Sequence, residues 1–280
     1  MHTHFKQFVM ILTLMSIVAL GIVSLTMAGS LASFTGEKGT LKIAGGTAHI
    51  PVMKAAAKQI MQAHPDIRIS IAGGGSGVGI QQVGEGLVDI GNSGRKPTEK
   101  EIAAYGLTLF KWAIDGVGIV INPHNTLTNL SQKQLQAIYA GNVVNWKELG
   151  GADHTITVYT RDEASGTRAV FWKKALGKGA ITPKANFVVS NGAMKTAVAN
   201  DPHAIGYVSV GHIDETVAPV ALNNVIPSLE SVRNGEYPVA RGLYSNTREE
   251  PTCLTQKFIN YLFSKEGQAL VAEKGFIPVK

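Results

Sequence analysis

The segment 161–168, Arg-Asp-Glu-Ala-Ser-Gly-Thr-Arg, places a guanidinium, two hydroxyls and a flexible glycine where a helix is predicted to begin. A helix start offers free N–H groups and the positive end of the helix dipole, and both attract anions. A guanidinium can add paired donors to the same anion. The residues that could form such an oxyanion site are Arg161, Ser165, Gly166 and Thr167.

A purely structural interpretation of this segment stays open. Ser165 could do no more than cap a helix over 167–176. Arg161 could form a surface ion pair with Glu163, which would contribute little to stability or function. The segment by itself does not distinguish an anion site from a capped helix.

Two other predicted strand-to-helix junctions carry the same groups. Thr47 and Ala48 follow one short strand, and Ser76 lies in the glycine-rich loop 73–79 after the next strand. In open α/β sheets, ligands bind at the carboxyl ends of strands, where such junctions meet. One small oxyanion could therefore contact all three junctions, although each alone is also typical of a cap or a tight turn.

Strand and helix patterns alternate along the chain after residue 38. Strands are predicted over 41–44, 67–71, 88–90, 116–121, 156–159 and 204–208. Helices are predicted over 51–63, through Ile80, Val83 and Leu87, after capping boxes at 98–101 and 131–134, and over 167–176, 255–263 and 265–274. This alternation predicts an α/β fold with mainly parallel sheets covered by helices.

The composition indicates a globular protein and argues against several functions. The 280 residues are 45% hydrophobic with a net charge of +6, and the basic residues are spread along the chain, unlike those of a nucleic-acid-binding module. No P-loop, serine nucleophile elbow or dinucleotide-binding spacing is present. The eight histidines are scattered and Cys253 is the only cysteine. We therefore expect no catalytic residue, metal, cofactor or nucleic-acid partner.

The N-terminal segment 1–32 is predicted to direct export. An apolar run from Phe8 to Met27 is followed by Ser30-Leu31-Ala32, which fits the small-x-small pattern of a signal-peptidase site. Cleavage after Ala32 would release the mature chain. A run of this length could also span a bilayer, so an uncleaved membrane anchor is the alternative.

Five segments taken together resemble the phosphate-binding proteins of phosphate-specific ABC importers, in their shorter bacterial form. The segments are 46–48, 74–77, 88–95, 115–117 and 161–168. The resemblance covers roughly residues 40–280 and implies a two-lobed Venus flytrap fold of the periplasmic-binding-protein type with two crossover strands. It further implies a periplasmic protein that binds dehydrated inorganic phosphate in the interlobe cleft and delivers it to a membrane permease. We expect such a protein to be a monomer without enzymatic activity.

The resemblance also implies a division of the chain between the lobes. The first lobe would comprise residues 39–113 and 219–280, and the second lobe residues 114–218. The crossover strands would lie near 112–118 and 211–220.

The phosphate ligands implied by the resemblance are the residues of the three junctions. They are Thr47, Ala48, Ser76, Arg161, Ser165, Gly166 and Thr167. In this scheme Glu163 orients the Arg161 guanidinium.

One position departs from the pattern of longer family members, which place a proton-accepting Asp where this chain has Gly94. A carboxylate there rejects sulfate, because two facing acceptors leave a hydrogen bond unmade. Asp115 is the candidate for this role here, unless it only ends a strand, and Arg95 could add a second positive contact. The alternatives are a protein that binds or senses another tetrahedral oxyanion such as sulfate and, in the enzyme class, a phosphate-ester hydrolase.

Overall fold

The computed structural model describes residues 30–251 and 253–279, so most of the expected leader at 1–32 lies outside the described residues. The strands are β1 (Gly39–Gly45), β2 (Ile67–Gly74), β3 (Ile90–Ser93), β4 (Leu107–Ile121), β5 (Asn129–Leu130), β6 (Thr157–Thr160), β7 (Asn186–Phe187), β8 (Ala204–Ser209), β9 (Ala218–Leu222), β10 (Ala240–Arg248) and β11 (Ile277–Pro278). The α-helices are α1 (Ile50–Ala63), α2 (Ser76–Gly84), α3 (Glu99–Tyr105), α4 (Gln132–Ala140), α5 (Gly166–Lys174), α6 (Asn191–Asn200), α7 (Leu229–Arg233), α8 (Cys253–Phe263) and α9 (Lys265–Glu273). None of the helices in this part of the chain is long and apolar enough to cross a membrane.

The strands are linked in the order β2-β1-β3-β10-β4-β8-β6-β7, with β11 and β9 also pairing with β4, and β5 with β9. The expectation of mainly parallel sheets is wrong. Of the ten pairings in the described chain, five are parallel and five antiparallel. All five antiparallel pairings involve β4 or β10, because these two long strands pass between the two halves of the molecule.

Two large apolar cores divide the molecule into two lobes, and Ile80, Val83 and Leu107 form a third, small cluster. The core of the first lobe is built on β1, α1 and the C-terminal helices and includes Leu41, Trp112 and Phe258. The core of the second lobe includes Ile119 and Tyr207. Since burial of apolar area is the main source of stability, each lobe has its own folding core.

Strand β4 is the first connection between the lobes. Its first part pairs with β10, up to the partners Gly116 and Ala240. From Val117 onward it pairs with β8 in the second lobe. The change of partner lies within the segment 112–118, where the first crossover was expected.

The second connection lies later than the expected segment 211–220. Val220 pairs with Ile119 of β4, and it shares the core of the second lobe with Val232, Tyr237 and Val239. Strand β10 then carries the chain back to the first lobe from residue 240. Residues 219–239, which were expected in the first lobe, therefore pack with the second, because β9 completes the sheet there.

Local capping signals define several helix ends. Thr98 and Ser131 form the predicted capping boxes of α3 and α4. Gly141 ends α4 in the left-handed conformation that favours glycine. Helix α2 ends at Gly84 and is therefore shorter than predicted. Leu87, which was expected in this helix, lies beyond its end and is exposed.

Candidate functional site

A small cavity lies between the lobes at the expected phosphate site. Its lining combines the three predicted junctions with one residue that the sequence analysis missed. The lining residues are Gly46, Thr47, Ala48, Gly75, Ser76, Gly94, Arg161, Ser165, Gly166, Thr167 and Arg241. All of them are buried, so the cavity is enclosed by the closed lobes.

The first lobe supplies its lining residues from the ends of three neighbouring strands. Thr47 begins a short 3-10 turn directly after β1, and Ser76 is the first residue of α2. The Ser76 Oγ accepts a hydrogen bond from the Gly94 N–H, which follows β3, at 2.8 Å. This bond holds two of the junctions in a fixed relation.

The second lobe supplies the start of α5. Ser165 is the N-cap of this helix, and its Oγ accepts from the Arg168 N–H at 3.1 Å. The N–H groups of Gly166 and Thr167 lie in the first turn, where an α-helix has no internal acceptor for them. They are available to an anion in the cavity, as predicted for a helix start.

Arg161 provides a buried positive charge from the loop after β6. Its backbone N–H donates to the Tyr207 hydroxyl at 3.1 Å, and its Nη2 donates to the Val189 carbonyl at 3.0 Å. Its Nε has no hydrogen-bond partner among the described residues. Burial lowers the pKa of Arg161 from its ordinary value, although a guanidinium keeps its charge in proteins.

The junctions from the two lobes touch each other directly. The Gly77 N–H of α2 donates to the Ala164 carbonyl just before α5, at 2.9 Å. A Cβ on Gly75 would lie 2.8 Å from the same carbonyl oxygen, and a Cβ on Gly166 would lie 2.0 Å from the Ser76 Oγ. Glycine is therefore required where the two helix starts approach.

Arg241 is the functional residue that the sequence analysis missed. It lies on β10 and is 7% exposed. Its Nη1 donates to the Thr167 hydroxyl at 3.0 Å and to the Gly94 carbonyl at 3.3 Å. The cavity therefore has two guanidinium groups. No local motif surrounds Arg241 in the sequence, and only the return of β10 between the lobes brings it to the site.

The position of Arg241 explains why residue 94 is a glycine. A Cβ on Gly94 would lie 2.7 Å from the Arg241 Nη1, too close for any side chain without displacing the guanidinium. The Arg241 guanidinium therefore occupies the space in which longer family members place a carboxylate.

Asp115 does not line the cavity. Its Oδ2 accepts from the Arg241 Nε at 2.9 Å, and its Oδ1 accepts from the Ser209 hydroxyl at 2.9 Å. The Arg241 Nη2 lies 2.8 Å from Oδ2 without hydrogen-bond alignment, so it keeps a free donor. Burial raises the pKa of Asp115, whereas the charge and hydrogen bond of Arg241 oppose that rise. Asp115 is a positioning residue for Arg241 in this arrangement.

Two further expected residues lie away from the cavity. Arg95 makes a two-pronged contact with Glu101, at 2.8 and 2.7 Å, and contributes nothing to the cavity lining. The Glu163 side chain is 92% exposed and lies 4.0 Å from Arg168. Its expected role of orienting Arg161 is therefore wrong, and the Val189 carbonyl takes that role.

Asn191, the first residue of α6, ties the lobes together beside the cavity. Its backbone N–H and its Nδ2 both donate to the Thr47 hydroxyl of the first lobe, at 3.2 and 3.0 Å. Its Nδ2 also approaches the Thr167 hydroxyl at 3.4 Å. Its Oδ1 accepts from the Ser209 N–H at 3.0 Å. This side chain is completely buried, so its bonds are shielded from water.

Within residues 30–251 and 253–279, no group of three or more His, Cys, Asp or Glu side chains is arranged to hold a metal ion. The site offers donors and positive charge. An arrangement of hydroxyls, N–H groups and guanidiniums of this kind binds oxyanions through charge-assisted hydrogen bonds.

Comparisons with known proteins show the family of the chain. Residues 32–266 match the PBP superfamily domain. Over 244 residues, which are 86% of this chain and 81% of the relative, the sequence is 39% identical to the phosphate-binding protein PstS of Bacillus subtilis (strain 168). PstS of Borreliella burgdorferi is 28% identical over 253 residues, covering 86% of this chain and 90% of that protein.

Solved structures show the same fold. An X-ray structure with bound phosphate, from a Clostridium perfringens protein classed as a phosphate ABC transporter substrate-binding protein, superimposes with a TM-score of 0.81 at 34% identity. It covers 86% of this chain and 100% of that one. An ABC-type phosphate transport receptor from Vibrio cholerae has a TM-score of 0.69 at 33% identity, with 85% and 99% coverage. The chain therefore belongs to the PBP superfamily and, within it, to the PstS family of phosphate-binding proteins.

Proposed function

We propose that this chain binds one inorganic phosphate in the interlobe cavity and delivers it to the membrane permease of an ABC importer. The observation that carries the proposal is the buried Arg161, whose Nε has no partner among the described residues and which lines a cavity of hydroxyl and N–H donors. Burying a cation whose N–H groups lack acceptors costs free energy, unless an anion accepts hydrogen bonds from them. The PstS relatives support phosphate as that anion.

Binding works through closure of the two lobes. Thr47, Ala48 and Ser76 come from the first lobe, whereas Arg161 and the start of α5 come from the second. An anion held from both sides has more favourable contacts in the closed state than in the open one. It therefore shifts the population toward closure.

No bond is made or broken in this function. The relatives are substrate-binding proteins of transport systems. The residues proposed for phosphate are Thr47, Ala48, Ser76, Arg161, Ser165, Gly166, Thr167 and Arg241, with Gly94 giving its N–H to Ser76.

Calorimetric titration with phosphate tests this function. We expect one site per chain, and Arg161→Ala should weaken binding by about 1.5–3 kcal/mol or more, since it removes a charged donor. Arg161→Lys keeps the charge but loses the paired donors. Its phosphate affinity should therefore lie between that of the parent and that of Arg161→Ala. The matched control is Arg95→Ala, because Arg95 pairs with Glu101 outside the cavity. Equal affinity of Arg161→Ala and the parent would refute the site.

Export places the protein where it could capture external phosphate, and we propose cleavage after Ala32. This bond lies within the short 3-10 turn Leu31–Phe34, whose Phe34 is buried in the core of the first lobe. Cleavage there leaves Phe34 in the mature chain. Mass spectrometry of the protein from its native envelope should find Ser33 at the N-terminus. An intact N-terminus in the membrane fraction would instead support the anchored form.

A further inference from the structure

Asn191, which ties the lobes together beside the cavity, is followed in the sequence by a glycine. The chain contains two Asn-Gly dipeptides, Asn191-Gly192 and Asn234-Gly235. Asparagine is a thermolabile residue. A glycine after it lacks the Cβ that would crowd the next backbone nitrogen, so this nitrogen can attack the side-chain amide. Both dipeptides therefore have the local chemistry of spontaneous deamidation.

The reaction at Asn191 needs water as its only co-reactant. The Gly192 nitrogen attacks the Asn191 Cγ, and the new C–N bond closes a cyclic succinimide. The bond between Cγ and Nδ2 breaks, and the side-chain nitrogen leaves as ammonia with the proton that the Gly192 nitrogen gives up. Water then opens the ring at either carbonyl, which leaves aspartate or isoaspartate at position 191.

The dipeptide lies where helix α6 begins, so the attacking nitrogen is outside the helical hydrogen-bond ladder. Ser190 is the N-cap, and its Oγ accepts from the Ala193 N–H at 2.9 Å. The Gly192 N–H belongs to the first turn, where an α-helix has no internal acceptor for it. Apart from the chain neighbours and the helix backbone, the nearest atom to a Cβ on Gly192 would be the Ser190 Oγ, at 3.8 Å. The surroundings of this nitrogen are therefore uncrowded.

The closed protein holds the Asn191 side chain through partners on both of its polar atoms. Its Nδ2 donates to the Thr47 hydroxyl at 3.0 Å and approaches the Thr167 hydroxyl at 3.4 Å. Its Oδ1 accepts from the Ser209 N–H at 3.0 Å. The side chain is completely buried. Ring closure would have to break these bonds where water does not replace them, and buried polar groups without partners are costly.

Opening of the lobes removes part of this protection. Thr47 follows β1 in the first lobe, whereas α6 packs into the core of the second lobe through Met194 and Val198. Separation of the lobes therefore breaks both bonds between Asn191 and Thr47 and brings water to the amide.

We propose that Asn191-Gly192 is a site of spontaneous deamidation, which the open protein exposes and the closed, phosphate-bound protein protects. The proposal rests on the proposed function, because phosphate is the anion that closes the lobes. Both states of the site follow from one side chain that is bonded across the cleft only when the cleft is closed.

Deamidation at Asn191 inactivates the site. An aspartate side chain has no N–H to donate to the Thr47 hydroxyl, and its negative charge repels an anion in the cavity. Isoaspartate carries its side-chain methylene carbon in the backbone and so displaces the start of α6. A chain that stays without phosphate should therefore lose affinity with time, whereas a loaded chain keeps it.

Asn234-Gly235 is the internal reference for this chemistry. Asn234 is exposed, and neither residue lines the cavity. The Gly235 N–H donates to the carbonyl of Val232, whose side chain packs in the core of the second lobe, at 3.2 Å. The deamidation rate at Asn234 should therefore not depend on closure. It also corrects for any direct effect of phosphate on the chemistry.

The test is incubation of the full chain in mildly alkaline buffer, with and without phosphate, followed by mass mapping of the peptides that contain the two dipeptides. A fresh sample is titrated with phosphate in the calorimeter. Phosphate at about 100 times its Kd should slow deamidation at Asn191 by roughly tenfold or more, because it depletes the open state. The rate at Asn234 should not change.

Gly192→Ala tests the same chemistry while keeping Asn191 and its hydrogen bonds. The added Cβ has room and hinders attack by the residue 192 nitrogen. Asn191 in this variant should stay intact during incubation without phosphate, and phosphate binding should persist while that of the parent falls. The matched control is Asn234→Gln, which removes the reference site and should leave the parent's loss of binding unchanged.

Two results would overturn the proposal and leave the proposed function intact. One is an equal rate at Asn191 with and without phosphate, in a protein that binds phosphate in the calorimeter. The other is an Asn191 that stays intact in the unliganded protein while Asn234 is converted. Absence of phosphate binding in the fresh protein would overturn the proposed function, and the protection by phosphate with it.

Discussion

Asp115 and Arg241 face each other as paired residues on β4 and β10, the two strands that connect the lobes. The carboxylate holds the guanidinium through the Nε at 2.9 Å, and the guanidinium in turn reaches Thr167 in the second lobe and Gly94 in the first. Residues directly opposite in an antiparallel pair lie on the same face of the sheet. The charge of the site therefore lies on the strands that connect the lobes.

Asp115→Asn should therefore act on stability more than on selectivity. Removing one partner of a buried ion pair leaves the other charge uncompensated, at a cost of about 3–5 kcal/mol in the free energy of unfolding. Saturating phosphate should reduce this loss, because its charge compensates Arg241. Denaturant unfolding with and without phosphate measures both effects.

The control for this variant is Asp153→Asn, because Asp153 forms an exposed ion pair with Lys147. We expect no measurable change in its free energy of unfolding. Asp115→Asn should also keep the phosphate-to-sulfate ratio of the parent. A clear gain in relative sulfate affinity would mean that Asp115 accepts the ligand proton after all.

Gly94→Ala should weaken phosphate binding by displacing Arg241. The added Cβ would lie 2.7 Å from the Arg241 Nη1, so the guanidinium must move away from Thr167. A loss of roughly tenfold or more in affinity is expected for one disturbed charged hydrogen bond. Gly192→Ala is the matched control, since its Cβ would meet only the Ser190 Oγ at 3.8 Å. Normal affinity in Gly94→Ala would show that Arg241 is dispensable.

Asn191 should contribute to closure of the lobes. Asn191→Ala removes the side-chain bond to Thr47, and we expect roughly a tenfold loss of phosphate affinity. Asn191→Asp should bind still more weakly, because a carboxylate beside the cavity repels the anion. Small-angle scattering at saturating phosphate should show a compact particle for the parent. Alanine and aspartate variants with equal affinities would argue against this electrostatic explanation.

The contact between Glu101 and Arg95 should make part of the stability depend on pH. Hydrogen bonds from Arg95 lower the pKa of Glu101 from 4.5 to about 2. Because the folded-state pKa is depressed, this stabilisation is present above about pH 4.5 and is lost as the pH falls toward 2.

Glu101→Gln should flatten the acid limb of the stability curve while keeping a capping-box side chain. The effect should stay below about 1 kcal/mol, since the pair is partly exposed to solvent. Glu99→Gln, in the same helix turn, serves as the control because its side chain is 85% exposed. A steeper acid limb in Glu101→Gln than in the parent would contradict the assignment.

Much of the site could be predicted from short-range signals in the sequence. The hydroxyl and glycine of each strand-to-helix junction, the N-cap Ser165 and the capping boxes at Thr98 and Ser131 act over four residues or fewer. Such signals determine where helices begin and therefore where free N–H groups occur. The motifs around them were sufficient to identify the family.

The remaining features depend on contacts between distant parts of the chain. Asp115 and Arg241 are 126 positions apart, and Thr47 and Asn191 are 144 apart, so no local pattern links them. The path of β9 and β10 decided where the chain returns to the first lobe and brought Arg241 against Gly94. The sequence by itself determined that the cleft attracts an oxyanion. The tertiary structure decided that Arg241 and Asn191 reach this cleft, because both come from elements that are distant in sequence from its junctions.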